Sequence, residues 1–317
     1  MDKKRKDFRK RIQGKHIIIA PGVYDSFTAK LAEHVGFEAL YVTGAGVAAS
    51  LLGVPDIGLV TMTEQLEQAR RIADATDLPV VSDADTGYGN PLNVLRTVKE
   101  FEKAGVCAIH LEDQVMPKKC GHLEGKKLIP VEEMVNKLKA ALDARTDGDF
   151  LIIARTDARA EYGLQHAIER GQRFAEIGAD MIFIEAPECV DELVSIGRSF
   201  TQVPLLVNRG GGGKTPALSA AELEAMGFRM VIFPGDAQKA AGKAVLKVLG
   251  TLKERGNVDT VQDMMMTFEQ RSAVLGLAGF RELELLYAGK KKQFDASQSS
   301  NTADGNLLQK ARQKALE

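Results

Sequence analysis

The stretch CAIHLEDQVMPKKCGHLEGKKL, residues 107–128, is an apolar run that ends in acids and passes within a few residues into a basic, thiol-bearing loop. Its first part, residues 107–111, is short and bounded by Gly105 and Glu112, the pattern of a parallel strand buried on both faces. Similar β-branched or apolar runs recur at 17–20, 39–43, 79–82, 151–154, 181–184, 204–207 and 230–233. Between them lie segments with apolar residues at helical spacing, among them 63–75, 92–104, 131–142, 165–177, 219–226 and 237–249. Gly36, Gly105, Gly178 and Gly227 each stand where a helix should stop just before a strand. Alternating strands and helices predict a parallel sheet with right-handed crossovers, and eight such units predict an α/β fold closed into a (β/α)8 TIM-type barrel. A doubly wound open sheet is the runner-up, but no GxGxxG follows the first strand.

At 317 residues the chain has room for one such barrel of about 250 residues with extensions. We expect a barrel over 1–257, C-terminal helices over 258–290 and a polar tail over 291–317. Within 258–290, helical patterns at 264–275 and 280–287, separated by Gly276 and Gly279, are too apolar to stand alone and should pack on the barrel or on a neighbouring subunit. The tail's last residues, LLQKARQKALE, read as a terminal helix. A net charge of -1 gives no reason to expect nucleic acid as a partner. Cys107, Cys120 and Cys189 form neither a paired framework nor a metal-type CxxC spacing, which points to a reducing compartment. No apolar run approaches the ~20 residues of a membrane span. The start, MDKKRKDFRKRI, lacks the apolar stretch of a secretory signal, so the expectation is a cytoplasmic protein whose first basic residues form the polar face of a helix.

In a barrel, polar residues just after strands share one rim, the usual active-site face. That rim would carry Tyr24, Asp25, Thr43, Asp83, Asp85, Glu112, Arg155, Asp157, Glu185, Asn208 and Arg209. Carboxylates so crowded need a cation to offset their repulsion, and acids at a strand end suit a hard ion such as magnesium. Asp83 and Asp85, at strand spacing, should point to one side and share the ion; an Asx turn that merely closes the loop is the bland reading. The turn Thr43-Gly44-Ala45-Gly46 can present backbone amides to a carboxylate or phosphate. Arg155 offers a planar fork for a second carboxylate, or serves only as a partner for Glu185. Cys120 stands among Lys118, Lys119 and His122, cations that would draw the thiol below its ordinary ~8.5 and make it acid/base equipment. An incidental cysteine in a surface loop is the alternative. The run RGGGGKTP at 209–216 lacks P-loop spacing and reads as a rim loop.

From about residue 8 to 249 the motifs PGVYDSFTAKLAE, TGAGVAASLLGVPDIG, DADTGYG, HLEDQV, KKCGH and IIARTDA resemble the isocitrate lyase and phosphoenolpyruvate mutase superfamily, and within it the 2-methylisocitrate lyase-like branch. The resemblance implies a barrel whose terminal helix is exchanged between subunits, a homotetramer, and magnesium, with manganese as an alternative, at each site. By motif matching, Asp56, Asp83, Asp85 and Glu112 resemble the metal-site acids, with Asp85 touching the ion directly. Thr43, Gly44 and Ala45 resemble the turn that binds the α-keto acid carboxylate, with Arg155 its charged companion and Tyr41, Glu185 and Asn208 lining the substrate. Lys118, Cys120, Gly121 and His122 resemble the catalytic loop.

The implied reaction is reversible carbon–carbon cleavage of a 2-hydroxy di- or tricarboxylic acid. Loss of the hydroxyl proton drives a retro-aldol break, the departing carbon leaves as an aci-carboxylate, and Cys120 protonates it; Tyr41 is a candidate for the base. Typical methylisocitrate lyases carry an arginine after KKCGH where this chain has Leu123, NRGGGGKTP replaces the more usual polar run of that branch, and LGLAGFRELE looks more like relatives that cleave alkyl-substituted malates. The substrate is therefore a small hydroxy acid of the 2-methylisocitrate or 2,3-dimethylmalate type. Rival readings are oxaloacetate hydrolysis or decarboxylation and phosphonate chemistry on the same scaffold, or a non-catalytic dicarboxylate-binding barrel. The last has no need of both a thiol loop and an acid set.

Overall fold

A computed structural model of the chain describes residues 2–121 and 123–288. Eight strands form a closed parallel barrel in sequence order: β1 Ile18–Val23, β2 Leu40–Val42, β3 Val80–Asp83, β4 Ala108–Glu112, β5 Leu151–Thr156, β6 Met181–Ile184, β7 Leu205–Asn208 and β8 Phe228–Phe233, with β8 pairing back onto β1. The open-sheet alternative is thereby ruled out. Helices in the first half are α1 Asp2–Ile12, α2 Ser26–Val35, α3 Gly44–Val47, α4 Met62–Ala75, α5 Pro91–Lys103 and α6 Val131–Ala144. There follow α7 Ala158–Tyr162, α8 Leu164–Glu176, α9 Val190–Ser199, α10 Ala220–Ala225, α11 Asp236–Arg255, α12 Phe268–Val274 and α13 Leu277–Tyr287. Local chemistry sets several boundaries. Asn90 caps α5 in a reciprocal box with Asn93 and Pro91 opens it, and Gly36, at φ +93, closes α2 in the left-handed conformation.

Two apolar cores result. The larger lies between the strands and the surrounding helices; the other fills the barrel, where Tyr41, Phe183 and Met230 meet Phe8 and Ile12 of α1. The start of the chain is thus corrected: α1 does not show all its basic residues to water. Arg5, 4% exposed, donates to the carbonyls of Val106 and Glu102 and pairs with Asp147 at 3.0 Å. Arg9 reaches Asp180 at 2.8 Å. These partners precede β4, β5 and β6, so α1 lies across the N-terminal end of the barrel with its two apolar residues plugged into it. Desolvating the Arg5 guanidinium is offset by carbonyls and carboxylates that would otherwise be orphaned there.

The chain divides into two compact units, one of residues 1–74 and 78–239, the other of 75–77 and the residues from 240 on. In the second unit the patterns expected at 264–275 and 280–287 resolve into a 3-10 turn, Asp259–Met264, then α12 and α13. Gly276 precedes α13 in the left-handed region, but Gly279 lies inside that helix and separates nothing. The expected tail and terminal helix, 291–317, lie outside the described residues. No helix of the described residues is long and apolar enough to cross a membrane.

Candidate active site

Strand ends deliver the acids. Asp83 closes β3 and Glu112 closes β4, while His110, two residues before Glu112, shares its side of the strand. Ligand atoms of Asp83, His110 and Glu112 all lie within 4.8 Å of one another, and all three residues are buried. His110 was not singled out from the sequence, where it sits unremarked inside an apolar run; the i, i+2 spacing to Glu112 was the available signal. Asp85 is not placed as expected. Strand geometry has ended by then: Asp85 sits at φ +47 and its backbone N–H donates to Asp83 Oδ1 at 2.9 Å. The Asx turn is real, and it brings Asp85 to the site by turning rather than by strand alternation.

Lys118 enters the same cluster, with Nζ 2.6 Å from Asp56 Oδ1 and 2.7 Å from Asp85 Oδ1. Lys118 thus pairs with two of the acids expected at the metal site. The Lys119 ammonium, for its part, faces the carbonyls of Glu124 and Gly125. Cys120 is half-buried and its backbone N–H donates to the Asp56 carbonyl at 3.0 Å. His122 lies outside the described residues.

Charge states follow from burial. Burial raises Glu112 well above the ordinary carboxylate range despite Arg155 at 3.3 Å. It raises Asp85 to about 7, with Lys118 opposing and Asp83 and Asp56 adding to the rise. For Asp83 burial is outweighed by His110, Lys118 and Arg155, which bring it down to about 2. Burial also lowers His110 to about 4, against the opposing pull of Asp83. Neither carboxylate oxygen of Glu112 has a hydrogen-bond partner, and Asp85 Oδ1 has none of proper geometry despite its ion pair. Carboxylate oxygens of Glu112 that are buried without a hydrogen-bond partner, within 4.8 Å of ligand atoms of Asp83 and His110, are a donor set a divalent cation can take, so the residues fit one.

Around this cluster lie the other expected residues. Thr43 caps α3, accepting from the Gly46 N–H at 3.3 Å. A β-carbon on Gly44 would come within 2.6 Å of Asp83 Oδ2, so only glycine lets that carboxylate lie against the turn. The Tyr41 hydroxyl and His110 Nε2 share a 2.7 Å hydrogen bond, and burial raises the phenol well above its usual range. Arg155 clasps Asp157 with two hydrogen bonds of 3.0 and 3.1 Å and stands 3.9 Å from Glu185, whose Oε1 accepts from Asn208 at 3.1 Å. Gly121 closes over this pair: a β-carbon there would meet Glu185 Cγ at 2.5 Å and Arg155 Nη2 at 2.6 Å. Lys126 secures the loop, donating to the Gly121 carbonyl at 2.5 Å and that of Leu123 at 2.9 Å. The loop therefore lies across the rim, bringing together the acids, the turn, Arg155 and the thiol segment. Asp25, by contrast, is a helix cap, accepting from the Thr28 N–H.

The family model described as phosphoenolpyruvate phosphomutase matches residues 8–253. The chain belongs to this family. It is 48% identical over 280 residues to a 2,3-dimethylmalate lyase of Eubacterium barkeri, covering 88% of this chain and 96% of that protein. A 2-methylisocitrate lyase of Aeropyrum pernix is 44% identical over 276 residues, 87% of each chain. Among solved structures of the family, a phosphonopyruvate hydrolase in complex with oxalate and Mg++ superposes with a TM-score of 0.82 at 32% identity, covering 90% of this chain and 99% of that one. Both of these sequence relatives are named lyases of the PEP mutase/isocitrate lyase superfamily, while a carboxyvinyl-carboxyphosphonate phosphorylmutase of Arabidopsis thaliana is 41% identical over 296 residues, 92% of this chain and 87% of that protein.

Proposed function

We propose that the protein is a divalent-cation-dependent carbon–carbon lyase that cleaves a 2-hydroxy di- or tricarboxylic acid to an α-keto acid and a second carboxylic acid, with 2,3-dimethylmalate the favoured substrate type. The observation that carries this reading is the buried cluster of Asp83, His110 and Glu112, in which neither Glu112 oxygen has a hydrogen-bond partner, with Asp85 ion-paired to Lys118 nearby and a thiol-bearing loop across it. Asp83, Asp85 and Glu112, with Asp56 behind them, would hold magnesium or manganese, and the ion would polarise the substrate's hydroxyl and carboxylate oxygens. The amides of residues 43–46 take the carboxylate of the keto-acid half. Arg155, held rigid by Asp157, sets positive charge beside the carbon that leaves as an aci-carboxylate. Cys120 returns a proton to that carbon. Tyr41, kept a phenol by burial and sharing a 2.7 Å hydrogen bond with His110 Nε2, would accept the substrate's hydroxyl proton as it hands its own to that nitrogen. Glu185 and Asn208 shape the wall opposite, and Gly121 lets the loop seat on it.

Leu123 supports the alkylmalate choice, because an apolar side chain beside the loop offers no cation to a third carboxylate. We further infer a cytoplasmic homotetramer with a catalytic barrel over 1–257 and the helices of 258–290 packing between subunits. Two features support assembly. Leu246, Phe268 and Tyr287 of the second unit are 74–77% exposed, and a cavity of about 320 Å³ lined by Ile19, Pro21, Phe37 and Phe233 opens in the first.

The test is release of keto acid from 2,3-dimethylmalate, 2-methylisocitrate and isocitrate, with magnesium and with chelator. Magnesium-dependent pyruvate from the first is the expected result. Cleavage of oxaloacetate alone would replace this reading with the hydrolase or decarboxylase one.

A further inference from the structure

Lys137 stands on the inward face of α6 beside Met134, Leu138 and Ala141 and is 4% exposed. Burial pushes its ammonium below the ordinary lysine value. A methionine or leucine would fill the same space without desolvating a charge. What the charge reaches is the carbonyl of Thr86, at 3.1 Å.

Thr86 lies in a turn of unusual backbone. Asp85, Gly87, Tyr88 and Gly89 have φ of +47, +80, +60 and +146, a run of left-handed residues of which two are not glycine. Such a conformation persists only where its surroundings over-determine it. The anchors can be named. Asp85 N–H is taken by Asp83 Oδ1 at 2.9 Å, the Gly87 N–H by the Ala84 carbonyl at 2.9 Å, and the Gly87 carbonyl by Thr97 Oγ1 at 3.1 Å. With Lys137 on the Thr86 oxygen, the single peptide unit joining Thr86 to Gly87 is gripped at both poles, directly after the residue that presents its carboxylate to the site.

We propose that Lys137 is a positioning residue, which by clamping the Thr86 carbonyl holds the left-handed turn that presents Asp85. It touches no reactant and acts through one peptide. α6 starts at Val131, shortly after the loop that carries Cys120, so the same helix that follows one wall of the site pins the opposite one. The use made of Asp85 rests on the lyase reading above; the clamp itself does not.

The test compares Lys137→Met, Lys137→Arg and Leu138→Ala in the full chain. Hydrogen exchange over residues 84–89 should quicken about tenfold in Lys137→Met and return toward wild type in Lys137→Arg, which keeps a cationic donor. Calorimetric affinity for magnesium alone should fall about tenfold in Lys137→Met, with kcat reduced and KM little changed. Leu138→Ala, a cavity on the same helix face, should lower Tm without either effect. Wild-type exchange in Lys137→Met, or equal loosening of 84–89 in Leu138→Ala, would overturn the proposal. If Lys137→Met does not fold, Lys137→Leu, equally without a donor, is read in the same way. A wild-type protein that binds no magnesium would count against the lyase reading, while the exchange measurement would still decide the clamp.

Discussion

Replacing Asp85 with asparagine should make the protein more stable and stop it binding a divalent cation. The carboxyl's ordinary value of 3.8 is raised to about 7, chiefly by burial, with Asp83 and Asp56 adding to the rise against Lys118. An ammonium at 2.7 Å would usually lower a carboxyl; here desolvation and two neighbouring acids outweigh it. Because the folded form holds this proton more tightly than the unfolded chain, its advantage is complete below about 3.8 and is lost as pH rises to about 7. Roughly three pH units at ~1.4 kcal/mol each give a penalty of ~4 kcal/mol at pH 8 as an upper bound. Asparagine carries no such penalty but leaves Lys118 with Asp56 alone at 2.6 Å, so a net gain of ~2 kcal/mol is expected. Urea unfolding of both proteins in chelator, from about pH 4 to 8, reads this directly: the curves should part as pH rises and run parallel above about 7. Magnesium should then raise wild-type stability and leave the variant unchanged. A variant less stable than wild type at pH 8, or a gap independent of pH, would refute the reasoning.

Cys120→Ser should lower keto-acid formation by about 100-fold while substrate binding persists, since a hydroxyl is a poorer acid than a thiol; unchanged turnover removes Cys120 from the mechanism. Arg155→Met strands Asp157 and Glu112 without their cation and should cost ~3–5 kcal/mol, seen as a large fall in Tm; a shift of a degree or two would show the acids to be neutralised otherwise. Phe8→Ala empties the barrel's lower plug, where the ring is 1% exposed, and should cost ~3–5 kcal/mol with activity per folded molecule retained. Equal loss of activity at low temperature would place α1 closer to the chemistry than its position at the far end of the barrel suggests.

The barrel was legible because strand and helix have different periods and the chain repeats the pair eight times. Ladder ends were less so. Runs expected to stop at 154 and 207 continue to Thr156 and Asn208, because Arg155 pairs in register with both Glu112 and Phe183, and Asn208 with Ile232. Polar residues at the rim are buried against one another and so keep strand geometry, which composition alone counts against. Asp83, Glu112 and Arg155 were readable as site residues from their place after strands. His110 was less so: its i, i+2 spacing to Glu112 was the one signal, and a histidine within an apolar run otherwise reads as core until the barrel is closed and Tyr41 hydrogen-bonds it. The Asp85 turn and the reach of Lys118 depend on tertiary anchors, Lys137 and Asp56 among them, that lie far away in sequence.

Where Gly121 rests on Glu185 and Arg155, even one methyl group would wedge the loop away from its seat. The cover over Glu185 and Arg155 is made at this point by bare backbone rather than by any bulky side chain. Change at this position has only one direction, toward a door left ajar. Sequence change in this loop is better tolerated at exposed neighbours such as Leu123, whose side chain is not wedged against the rim.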